Sequence, residues 1–428
     1  MKKILYIFVF SVYSFLNPFT INSQWVLQNS GTGYKLNSVF FVDANTGFAV
    51  GDSTTSSGSN GIIIKTTNSG LNWNRQIFGN CSIASIFFLD AVTGFGSGYS
   101  NGRLFLKTTN VGVNWTQTST TGDLPGQSIQ FINNLTGFIA TAMSAPKLRG
   151  ALMLRTTNGG ISWNGQLLFY PGNLNSVCFP DTLTGYTCGS NPTFKTTNSG
   201  ISWFQINTPS SSYGFNSIFF INSLTGWTAD NNKIFTTTNG GNNWLQIFNQ
   251  TSCSGLTSVK FANSMTGWIC GCQGTIYGTT NGGINWTLQS TGSTTSLYSM
   301  SFINASTGWA VGDQGRILKT TTSGLTFIQP VSNEIPESFS LFQNYPNPFN
   351  PDTKIRFEVP LIKGDLGGFV GLYVYNTLGQ VVATLVNESL KPGSYEVNWH
   401  ADSYASGIYF YILQSGNFTE SKKMLLVK

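Results

Sequence analysis

Thr156-Thr157-Asn158-Gly159-Gly160-Ile161-Ser162-Trp163 is the stretch whose reading decides the fold. It recurs at Thr66–Trp73, Thr108–Trp115, Thr196–Trp203, Thr237–Trp244 and Thr279–Trp286, and a worn seventh copy, TTTSGLTF, ends at Phe327. The closing aromatics at 73, 115, 163, 203, 244, 286 and 327 lie 40 to 48 residues apart. A fixed period in that range marks a solenoid or a propeller. Each copy supplies a Thr-Thr pair to finish a strand and an Asn whose short side chain holds a turn. A Gly follows that tolerates positive φ, and an aromatic opens the next strand and folds back over the turn.

Working outward, every unit begins with Ser, an apolar residue, a variable residue and Phe, as in Ser38-Val39-Phe40-Phe41 and Ser258-Val259-Lys260-Phe261. That is period two, the pattern of a strand with one face always buried. A turn follows, then Thr-Gly and an aromatic in all seven units: Phe48, Phe95, Phe138, Tyr186, Trp227, Trp268 and Trp309. These aromatics read as second-strand residues packed between neighbouring sheets. Seven units of four strands predict an all-β fold, a seven-bladed β-propeller. Trp25-Val26-Leu27-Gln28 resembles Trp244-Leu245-Gln246 but has no unit before it. An extra fourth strand at the amino end is what ring closure requires, since an open solenoid leaves two exposed edges. The expected ring spans 24–330.

Only 9% of residues are charged and 14% are aromatic, and Gly, Asn, Ser and Thr are abundant. That suits short strands and many turns, and no amphipathic helical run appears after residue 24. The net charge of +6 has no Lys/Arg cluster behind it, which sets nucleic-acid binding aside. Lys2 and Lys3 precede an apolar run from Ile4 to Leu16, then Pro18 and Ser23. This reads as a secretory signal peptide over 1–23, too short and too interrupted for a stable membrane span. Six cysteines, Cys81, Cys178, Cys188, Cys253, Cys270 and Cys272, fit an oxidising compartment. Cys178 and Cys188 lie on consecutive strands of one unit, where a disulfide and a pair of buried thiols are both open readings. The only histidine is His400, so no metal site and no cofactor are expected in the repeats.

Residues 24–330 contain no glutamate, and their acids are Asp43, Asp52, Asp90, Asp123, Asp181, Asp230 and Asp313. Asp43, Asp90 and Asp181 occupy a turn position that other units fill with Asn, so they are turn formers. Glycoside hydrolysis needs two carboxylates flanking the bond. The candidates are Asp52 and Asp313, which take the same place after the second strand of the first and last units. Arg103 and Arg316 begin third strands on the same rim. Asp52, Arg103, Asp313 and Arg316 are therefore the candidate ligand-binding patch, with loops at Ser53–Asn60 and Thr141–Gly150 beside it. The alternative reading is that these acids cap turns or meet nearby basic groups. Trp227, Trp268 and Trp309 are expected in the core.

The Thr-Gly-aromatic turn, Val311–Thr321 (VGDQGRILKTT) and the Gly-Gly-x-x-Trp ending together resemble the Asp-box repeat of seven-bladed propellers of the photosystem II stability/assembly factor family. The resemblance covers 25–328. The box position usually filled by Asp is Asn68, Asn110, Asn158, Asn198, Asn239 or Asn281 here, or Thr322. It implies the fold, and nothing else in the chain points to photosynthesis.

After Pro330 the repeat stops and glutamates appear at Glu334 and Glu337, in a linker expected over 331–340. Beyond it, Gln343–Pro351 (QNYPNPFNP) leads into alternating runs at Thr353–Val359, Val370–Tyr375, Gln380–Leu385, Gly393–Trp399, Gly407–Leu413 and Ser421–Val427. Six or seven short strands predict a small immunoglobulin-like β-sandwich over 341–428. QNYPNPFNP, Val374–Gln380, Ser406–Tyr411 and the final Lys422–Lys428 resemble the type A carboxyl-terminal sorting domain of the type IX secretion system. That resemblance implies passage through the periplasm, the secretion machinery and its sortase as partners, and release or attachment at the outer surface. The reading favours a secreted or cell-surface module binding glycan or protein. The alternative is a sialidase-like or glucanase-like hydrolase using Asp52 and Asp313.

Overall fold

The computed structural model describes residues 25–428 except 56–57, 121–124, 142–150, 170–171, 191, 210, 212–213, 251–254, 290, 323–327, 333, 362–367 and 402–403. The expected signal peptide and most of the loop expected at 141–150 therefore lie outside the described residues. No helix among the described residues is long and apolar enough to cross a membrane.

Seven four-stranded antiparallel sheets follow one another, one per repeat. Blade 1 runs Lys35–Phe41, Gly47–Thr55, Gly58–Thr66, Asn74–Phe78, and blades 2 to 6 repeat that order. Blade 7 has Leu297–Phe302, Gly308–Gly312 and Ile317–Thr320, and its fourth strand is Val26–Gln28, paired Val26 to Lys319, Leu27 to Leu318 and Gln28 to Ile317. The strand from the amino end closes the ring, as the surplus Trp motif predicts. The inner strands form a complete cycle, with Lys35–Phe41 touching both Ser82–Phe88 of blade 2 and Leu297–Phe302 of blade 7.

The repeat aromatics hold the blades together. At all seven junctions the aromatic after Thr-Gly stacks on the inner-strand Phe of the next blade. Phe95–Phe131 has centroids 3.6 Å apart, Tyr186–Phe220 3.5 Å and Trp227–Phe261 3.5 Å, and the closing pair Trp309–Phe41 is 3.4 Å apart at 7°. The same Phe meets the Trp of its own blade edge-on, as Phe41 meets Trp73 and Phe302 meets Trp25. Each such pair contributes about 0.5–1.5 kcal/mol beyond its buried area. Trp227, Trp268 and Trp309 are fully buried in this stacking and so belong to the core. The invariant Gly before each aromatic has the inner-strand Phe ring lying on its Cα, where a Cβ would collide, as at Gly47 over Phe41.

The box turns explain the Thr-Thr-Asn sequence. In blade 3, Thr156 is buried, and its hydroxyl donates to Asn158 and accepts from the Gly160 amide. Asn158 accepts from the Ser162 amide at 2.9 Å, a bond that Asn makes as well as Asp. Two successive residues take positive φ, Gly159 at 70° and Gly160 at 88°, which is why the second is always Gly. The Lys or Arg before the Thr pair clasps the box turn of the next blade: Lys65 to Val111, Lys107 to Gly159, Arg155 to Ser199 and Lys195 to Gly240, each at a carbonyl. Lys319 completes the series by donating to the Ser69 hydroxyl across the seam between blades 7 and 1. Burial lowers the pKa of Lys65, Lys195 and Lys319.

The carboxyl-terminal part is a β-sandwich. One sheet orders Ile328–Ser332, Gly393–His400, Asp352–Val359, Ser340–Leu341, and the other Val381–Leu390, Gly368–Tyr375, Gly407–Ser415, Phe418–Leu426. All six strands expected from the sequence are present. The boundary differs from expectation: Ile328–Ser332 pairs with Gly393–His400, so residues placed at the ring's end and in the 331–340 linker belong to the sandwich, as does Ser340–Leu341. In the QNYPNPFNP lead-in, buried Asn344 donates to the Thr353 hydroxyl and the Pro346 carbonyl. Phe349 and the end of the last strand then exchange backbone bonds, Phe349 N–H to Leu425 and Val427 N–H to Phe349.

The disulfide considered between Cys178 and Cys188 is absent. Both are free, buried thiols. The register sets Cys178 opposite Tyr186 and Cys188 opposite Ser176, two residues out of step. Burial raises both pKa values, which keeps the thiols protonated and inert. Cys272 is disulfide-bonded, and Cys253 lies outside the described residues.

Candidate functional site

Turns joining first to second and third to fourth strands share one face of the ring. The second-to-third hairpins share the opposite rim, where the four candidate residues lie. One feature there was not read from the sequence. The inner strand bulges just before its Ser in blades 1, 2, 3, 4, 6 and 7. A bulge re-aims one side chain. The residue just before the Ser donates to a backbone carbonyl of the next blade in four units, Asn37 to Ile83, Asn175 to Phe215, Asn216 to Leu256 and Thr257 to Leu297. The adjacent Ser accepts from the next blade's amide, as Ser38 does from Ile86 and Ser299 from Val39.

Asp52 joins this latch. Its Oδ1 accepts from Asn37 Nδ2 at 2.6 Å and from Ser82 Oγ at 2.9 Å, at the junction of blades 1 and 2. In blade 7 the bulge position holds Tyr298, and its phenol donates to Asp313 Oδ2 at 2.9 Å. Lys35 of blade 1 stands 4.2 Å over the Tyr298 ring, bridging the seam. Burial, and then the bond to Asp313 with its charge, push the Tyr298 phenol up to about 12. Arg316 follows the tight turn Asp313–Gly315, and its Nε donates to Thr295 at 3.3 Å.

The structure thus gathers Asp313 and Arg316 with Tyr298 and Lys35 in one cluster. Asp52 is the cross-strand partner of Lys35, but its carboxylate turns toward blade 2. Arg103 opens the third strand of blade 2, opposite Tyr99 and Thr120. Ser53–Asn60, expected as a loop, continues the hairpin instead, with Ser53 opposite Asn60 and Thr55 opposite Gly58. Asp43, Asp90 and Asp181 each accept two amides of their own turn, as expected. Asp230 does the same with Asn232 and Lys233. The residue before each Ser was the available sequence signal for this rim, but its changing identity concealed it.

The fold and site define a closed seven-bladed β-propeller joined to a β-sandwich. Residues 246–321 match the family model described as Photosynthesis system II assembly factor YCF48, and residues 343–428 match that of the Secretion system C-terminal sorting domain. A type IX sorting tail implies export, to the cell surface or beyond it. A solved structure of YCF48 bound to D1 peptide is 18% identical, with a TM-score of 0.56 over 70% of this chain and 95% of that one. YCF48 from Cyanidioschyzon merolae is 17% identical, with a TM-score of 0.53 over 69% of this chain and 98% of that one. The WD40 β-propeller domain of Doa1 is 10% identical, with a TM-score of 0.53 over 69% of this chain and 96% of that one. These likenesses establish the propeller fold. No curated protein matches the chain.

Proposed function

We propose that the ring is an exported binding module for a glycan or a protein, and that its ligand sits on the rim where blades 7 and 1 meet. The observation that carries this is the cluster of Lys35, Tyr298, Asp313 and Arg316 across the closing seam. It offers a cation, an aromatic face, a carboxylate and a guanidinium, which suits recognition by hydrogen bonds and stacking. Asp52 and Arg103 extend the surface along the rim into blade 2. Asp52 and Asp313 each already accept hydrogen bonds from protein groups, which supports binding over a hydrolytic carboxylate pair. That YCF48 is solved with a bound D1 peptide supports a protein ligand as one of the two classes. On this reading the amino-terminal segment directs the chain to the periplasm, and a type IX sortase processes the tail.

A glycan array and a peptide panel probed with the full chain test this reading. Binding to one ligand class without turnover is expected. Lys35→Ala and Tyr298→Phe should each weaken it about tenfold, the effect of losing one hydrogen bond to a charged group or one cation–π contact. Turnover that disappears in Asp52→Asn or Asp313→Asn would establish the hydrolase instead.

A further inference from the structure

The two outer faces of the sandwich differ in kind. On the Gly393–His400 sheet the outward residues are charged: Lys354 pairs with Glu396 at 2.8 Å and Arg356 with Glu358 at 3.7 Å. An antiparallel sheet facing water has such a surface. On the other sheet the outward residues include Tyr373, Tyr375, Ile408, Phe410, Ile412 and Leu425, with Gln414, Thr419, Ser421 and Lys423 beside them. They run in rows across the strands, Tyr375 beside Phe410, Tyr373 beside Ile412 and Ile408 beside Leu425. Ile408 is 43% exposed, and Phe410 and Leu425 are each 38% exposed. Tyr373 lies over Gly371, where no side chain could fit beneath it. Neighbouring aromatic and aliphatic groups on an open sheet face mark an interaction surface. The charged residue in these rows is Lys423, opposite Phe410.

We infer that this sheet face is where the sorting domain docks on the export machinery, against an apolar protein surface rimmed by acidic groups. The inference rests on the sorting reading of the tail, whose matched residues, 343–428, include all six outward residues. Charge selects the occupant. A second copy would set one lysine-bearing face against another, whereas an acidic rim complements Lys423. The buried side of the same strands, with Tyr409, Tyr411, Leu413, Met424 and Leu426, already builds the core, and none of the six outward residues belongs to it.

The test uses the full chain in a host with type IX secretion, reading the fraction at the surface and in the medium. Tyr375→Ser combined with Phe410→Ser should lower that fraction about tenfold, as removal of central aromatics does at other interfaces. Thermal unfolding should stay as in the wild type. Lys423→Glu, an exposed charge reversal, should lower export as well and decides the matter if the double variant unfolds. Gln414→Ala, further along the same face, should export normally. Wild-type export by both the double variant and Lys423→Glu would overturn the proposal. So would a dimeric wild type made monomeric by the double variant, because the occupant would then be a second copy. Retention of the wild type itself would instead overturn the sorting reading.

Discussion

Trp25→Ala should destabilise the ring by about 4–7 kcal/mol. Trp25 is fully buried among Trp268, Leu297, Met300 and Leu318, and meets Phe302 edge-on. Truncating a buried Trp costs about 3–5 kcal/mol. Its indole N–H also donates to buried Gln289 at 2.6 Å, and loss of that bond to a buried acceptor adds about 1–2 kcal/mol. Deleting residues 25–28 should cost more still, because blade 7 then loses its fourth strand and blade 1 loses the bond from Gln28 to Ser69. The measurement is chemical or thermal unfolding of the full chain. A midpoint unchanged in both variants would mean that blade 7 does not depend on the amino-terminal strand.

The second large effect concerns export. A chain ending at Glu420 loses Met424 and Leu426, both within the sandwich core, and the backbone bonds that tie Phe349 to Leu425 and Val427. Each lost core residue costs about 2–5 kcal/mol, and together they rival the whole stability of a domain this small, about 5–10 kcal/mol. The tail should then be unfolded and the chain retained inside the cell envelope of a host with type IX secretion, while the ring melts as in the full chain. Recovery of the truncated chain at the surface in wild-type amounts would place the export signal elsewhere.

What the sequence showed and what it hid follow from the same physics. The box turns, the Thr-Gly turns and the stacked aromatics were legible because each needs one residue type wherever it occurs, such as Gly where a Phe ring meets the backbone. The surplus Trp25 motif was legible as a count of strands. The seam cluster was only half legible: Asp313 and Arg316 stood out as charges in a charge-poor ring. Tyr298 did not, because the bulge position tolerates Asn, Thr, Ala, Gln or Tyr and no pattern announces it, and Lys35, at the start of the first inner strand, meets Tyr298 only once the ring has closed. The Cys178–Cys188 pairing failed on register, which a strand's sequence does not disclose to within two residues. The ring's end was misplaced because Ile328–Ser332 follows the seventh box copy, where every other unit has its fourth strand. In the folded chain that slot belongs to Val26–Gln28, and Ile328–Ser332 pairs into the sandwich.

Ring closure is the claim on which the seam cluster depends, and one cross-link tests it. Val26 and Lys319 are direct partners on antiparallel strands, in contact although remote in sequence. Opposed residues on such strands have Cα atoms about 4.5–5.5 Å apart, within reach of a disulfide. Val26→Cys combined with Lys319→Cys should form one new intramolecular disulfide on mild oxidation, seen as faster migration on a non-reducing gel and as two thiols protected from alkylation. Both new thiols remaining free and alkylated in the folded, oxidised protein would contradict the closed ring.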